Sequence, residues 1–122
     1  MFTVRQLARL VAMAGLLAAS TPALTAQTLS PDEIASLLDT AATKEDHLKL
    51  AGHYAVEAKQ LREDAIRHDA MASRYKKLPA RPSALREHMA QHCSKLATSL
   101  SSASKEADEL ASAHREMAKD SK

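Results

Sequence analysis

Residues 47–75 read HLKLAGHYAVEAKQLREDAIRHDAMASRY, and within them Ala51, Ala58, Ala65 and Ala72 recur every seven residues. Seven is the interval at which a helix returns the same side chain to a seam shared with a neighbouring helix. His47, Tyr54, Leu61, His68 and Tyr75 fill the alternate steps of four and three, so one inner face runs through four heptads. A second ladder follows at Ala90, Ala97, Ser104, Ala111 and Ala118. Small side chains on a seam let two helix backbones approach more closely than leucine would. The pair of ladders predicts an all-α fold built on a long antiparallel hairpin.

The ladders also fix an alignment. Pairing Ala72 with Ala90, Ala65 with Ala97, Ala58 with Ser104 and Ala51 with Ala111 is symmetric about residue 81. Independently, Pro79 and Pro82 bracket that position, and two prolines in four residues end a helix. The turn is therefore expected at about 78–83, between helices at about 44–77 and 84–119. Alternation of three and four on the last helix gives its inner face as Met89, Cys93, Leu96, Leu100, Ala103, Ala107, Leu110, His114 and Met117. Lys59, His68, Met71 and Ala72 match Lys105, His114, Met117 and Ala118 at one offset, which reads as duplication of a single helix.

Ahead of the hairpin, Ser30-Pro31-Asp32-Glu33 carries the signs of a helix start: a capping serine, proline at the first position and a glutamate that closes a capping box. Ile34, Leu37, Leu38 and Ala41 give the short helix at about 31–41 one apolar face. It is expected to cap part of the hairpin. Thr43 and Asp46 repeat the capping pattern for the long helix that follows.

Residues 1–26 read as a secretory signal peptide. Arg5 and Arg9 precede an apolar run from Leu10 to Ala19, too short to span a bilayer, and small or helix-breaking residues follow. Cleavage is placed after Ala26, with Ala23 as the alternative. The mature chain, 27–122, is then a single periplasmic or secreted domain with no transmembrane segment. Its 15 basic residues (17 less the two lost) equal its 15 acidic ones. With no basic patch and only Tyr54 and Tyr75 as aromatics, nucleic-acid binding is not expected.

A core made of methyl groups buries little surface beside the roughly 1.5–3 kcal/mol of a buried leucine. A hairpin of this kind is marginal alone. A second copy completing a four-helix bundle, or an envelope protein partner, would supply the missing burial.

The residues able to carry chemistry are histidine, methionine and one cysteine. The register gathers His68 and Met71 opposite Met89, His92 and Cys93 near the loop, with His88 at the edge. At the open end it sets His47 against His114, with Met117 close by. Spacings of three and four put donors one turn apart. Thioether, thiolate and imidazole together suit Cu(I); zinc fits the imidazoles and thiolate but is a poor match for methionine. The same residues also make an ordinary helix core, with methionine as filler. His53 falls off the seam and is expected at the surface. Cys93, the only cysteine, is free to be a buried apolar group, a metal ligand or a bridge to a second copy. No catalytic constellation is present: His92 and Cys93 adjoin in sequence, which turns their side chains about 100° apart on a helix. The chain is read as non-enzymatic.

The repeated His-x-x-Met-Ala at 68–72 and 114–118, with Met89-Ala-Gln-His-Cys93, resembles a group of small exported bacterial α-helical proteins of unknown function. That resemblance implies the hairpin and an envelope location, and carries over no activity or binding residue. The expectation is an exported helical protein that binds Cu(I) near its loop, or alternatively a structural or partner-binding module without metal.

Overall fold

The computed structural model describes residues 28–79 and 83–121. The signal peptide expected at 1–26 and the turn centre expected at 81 lie outside the described residues. Three helices follow in order: α1 (Pro31–Thr40), α2 (Lys44–Lys77) and α3 (Ser83–Asp120). There is no strand among the described residues. α2 and α3 pack against each other extensively, so the fold is an all-α helical hairpin with a short leading helix.

The starts of α1 and α2 follow from their caps. Ser30 Oγ accepts from the Glu33 N–H at 3.3 Å, and the Glu33 carboxylate accepts from the Ser30 N–H at 2.7 Å. That second contact, with the Ser30 hydroxyl adding to it, holds the Glu33 carboxyl below its ordinary range. Thr43 and Asp46 repeat this reciprocal pair at the head of α2. Both boxes satisfy backbone donors that a helix start leaves without intrahelical partners. At the far end of α2, Leu78 turns to extended backbone, the conformation favoured before Pro79.

Every member of the α2 ladder is buried, and on α3 so are Ala90, Ser104, Ala111 and Ala118, with Ala97 half-buried. Cys93, Ala107 and His114 complete the buried row, with Leu100 half-buried between them. The α3 seam is thus 90, 93, 97, 100, 104, 107, 111, 114, 118. This corrects the expected inner face at five positions. Met89, Leu96, Ala103, Leu110 and Met117 are exposed, one residue before each ladder member. The reason is steric. Backbones drawn together by methyl spacers leave no room between them for leucine or methionine, which move to the adjoining flank.

Among the described residues eight of the ten buried apolar ones are alanine, so the core is mostly a thin sheet of methyl contacts. Ser104 replaces a methyl with a hydroxyl inside that sheet. Its Oγ accepts from Arg62 Nη1 at 3.1 Å, and the same guanidinium group pairs with Asp108. A buried hydroxyl left without a partner would cost about 1–3 kcal/mol. Arg62 reaches across the seam to prevent this.

α1 covers the hairpin only loosely and along α2 alone. It touches α2 and not α3, has no buried residue, and leaves Leu38 half exposed. The residues just before it are held down instead: the Leu29 N–H donates to His53 Nδ1 at 3.1 Å. His53 is therefore buried, against the expectation of a surface position.

Packing this close makes a specific prediction. Ala58→Leu should lower stability by about 1–3 kcal/mol through overpacking, because Ala58 is fully buried in the seam. Ile66→Ala should change it by no more than about 0.5 kcal/mol, because Ile66 is 69% exposed. Urea unfolding followed by circular dichroism measures both; equal effects would contradict the seam.

Candidate functional site

At the open end the large residues of the seam stack. His114 lies between His47 and Tyr54, with ring centroids 5.5 Å and 5.8 Å away and interplanar angles of 27° and 7°. His53 meets the edge of Tyr54 at 5.3 Å. His47 Nδ1 and His114 Nδ1 are 3.2 Å apart. One ring must donate its N–H and the other must offer a lone pair, so the contact needs at least one neutral imidazole. His114 takes that part. Burial, and secondarily the proximity of His47, push its pKa below the ordinary value of 6.5. Met117, expected beside this pair, is about half exposed on the outer flank of α3.

At the loop end the five expected residues divide. His92 faces outward and pairs with His88 along the same helix, Nε2 to Nε2 at 3.1 Å. Four residues is a single turn, so two exposed imidazoles meet there without help from α2. Cys93, one residue on, is buried in the seam and free. A bridge from Cys93 to a second copy would require the seam to open. His68 is half-buried on α2, and its Nδ1 is fully buried with no hydrogen-bond partner. Met71 and Met89 are 39% and 38% exposed. Met71 follows His68 by three residues and Met89 precedes Cys93 by four, so each thioether stands one turn from a seam residue. Beyond Met71, a shallow apolar cleft of about 210 Å³ is lined by Met71, Arg74, Tyr75 and Leu78.

His68 and Cys93 occupy equivalent rows of the seam, symmetric about the same point as His47 and His114, whose contact is direct. By register they stand at one level of the hairpin. Among the described residues no three side chains of His, Cys, Asp or Glu converge on a point that could hold a metal ion. Any site at the loop end therefore needs the thioethers.

Sequence reasoning missed two side-chain contacts. His88 takes His92 as its partner, and the four-residue spacing was the available signal. His53 is recruited by Leu29, 24 residues earlier in the chain, and nothing local to His53 encodes that. Comparison with protein-family models, curated proteins and solved structures gives no match for this chain. Among the described residues no helix is long and apolar enough to cross a membrane.

The open-end stack predicts acid sensitivity. The folded pKa of His114 is lowered, so the unfolded chain binds the proton more readily, and stability falls as pH drops below about 6.5 towards the folded value. Thermal midpoints measured from pH 7.5 to 5 should decline, and His114→Gln should flatten that decline. An unchanged slope in the variant would assign the sensitivity to other groups.

Proposed function

We propose that the protein is an exported, non-enzymatic helical module that holds Cu(I) near the loop of its hairpin. His68 and Cys93 supply the inner ligands, and Met71 and Met89 flank them. The observation that carries this reading is the buried, unpartnered Nδ1 of His68 at the level of a buried free thiol. A polar nitrogen removed from water without a partner costs about 1–3 kcal/mol, and a soft cation would offset that cost. Thiolate and thioether donors select Cu(I) among the first-row metals. Binding would take the proton from Cys93, so affinity should rise with pH. His92 has no part in this set, because it turns to His88 on the outside of α3. Zinc could use His68 and Cys93 but would gain little from the methionines.

The alternative reading is a structural or partner-binding module of the envelope, without metal. What favours it is the row of large apolar side chains that α3 leaves in water.

A titration of the reduced protein with Cu(I) against a competing chelator separates the two. The copper reading expects one ion per chain. Cys93→Ser and His68→Ala should each weaken binding at least tenfold, and His92→Ala should leave it unchanged. Affinity no better than that of a generic histidine peptide, or indifference to both seam substitutions, would sink it.

A further inference from the structure

We infer that the outer flank of α3 is the contact surface for a second copy of this chain, docked antiparallel about a twofold axis near Ala103. The flank carries Met89, Leu96, Ala103, Leu110 and Met117, and its four large members are 38–48% exposed. This row reads the same in both directions: Met, Leu, Ala, Leu, Met. A twofold contact pairs residue i with residue j and j with i, so each surface must be its own complement. Reversal about Ala103 sets Met89 against Met117 of the second copy and Leu96 against Leu110. The two helices cross where the side chain is smallest.

One polar row near it shares this reversal to within a residue. His88, Lys95, Ser102, Glu109 and Glu116 form the row at the outer edge. Turned about Ser102, Lys95 meets Glu109 of the second copy. The two centres, 103 and 102, differ by one residue, so the paired residues of both rows stand within about 3 Å of level in a single register. This opposite-charge contact occurs twice. A parallel arrangement would instead set Lys95 on Lys95 and Glu109 on Glu109, which is unfavourable. Lys95 and Glu109 are both exposed, so their side chains are within reach of a second copy. The contact needs neither copper nor a disulfide, since Cys93 faces the opposite helix.

Sedimentation equilibrium of the metal-free, reduced protein tests the inference over a range of concentrations. A dimer is expected. Lys95→Glu should raise its dissociation constant about tenfold, since two charge pairs become repulsive, and adding Glu109→Lys should restore it. Ala103→Cys in a Cys93→Ser background should form an intermolecular disulfide on oxidation, because the axis brings the two 103 positions together. Circular dichroism confirms that these exposed substitutions leave the helices intact. A monomer at every concentration overturns the inference. So does a dimer that ignores the charge reversal and does not cross-link at 103, which would place the contact elsewhere. Neither result decides the copper titration, whose inner ligands His68 and Cys93 lie on the seam rows; Met89 alone belongs to both surfaces.

Discussion

The close approach of α2 and α3 along a seam of methyl groups is the constraint from which the rest of the structure follows. Because Ala51, Ala58, Ala65 and Ala72 meet a second ladder of small residues, the backbones leave little room between them. On α3 the large side chains either lie in the row beside the ladder, as His114 does against Tyr54, or leave the seam, as Met89 and Leu110 do. The one hydroxyl in the ladder, that of Ser104, is satisfied by Arg62 reaching from the other helix. Little apolar surface is buried, and much stays in water along α3. A protein built in this way spends its large hydrophobic residues on its outer face.

Most of this architecture was legible in the sequence, because its signals are local and periodic. The seven-residue ladder announces the seam, and the capping boxes at Ser30 and Thr43 announce two helix starts. The ladders also fix the alignment: His47 and His114, in direct contact, are symmetric to within one residue about the predicted centre. What sequence misplaced was the α3 face. Two rows one residue apart are both apolar there, and pattern alone favours the row with larger side chains. Only the distance between backbones decides between them, and the small residues set that distance.

The candidate site was legible in part for the same reason. His68 and Cys93 lie on seam rows that the ladders define, and both are where the register puts them: partly or wholly inside the hairpin. His92 was misassigned because adjacent residues on a helix face different ways, and His88 one turn back offers it a partner. His53 was misread because its partner, Leu29, belongs to a segment whose path no periodicity describes. The histidines thus fall into three kinds, of which His53, buried and accepting from the Leu29 N–H, is one. Those in the seam are held by stacking or left with an unpartnered nitrogen, while His88 and His92 are exposed and mutually paired.

The account rests on methyl groups facing each other across the seam in one alignment. Nuclear Overhauser contacts in protein labelled at alanine methyls and serine methylenes test that claim most directly. Cross-peaks between Ala72 and Ala90, Ala58 and Ser104, and Ala51 and Ala111 are expected. Absence of interhelical contacts at these positions, or contacts displaced by a heptad such as Ala72 with Ala97, would contradict it.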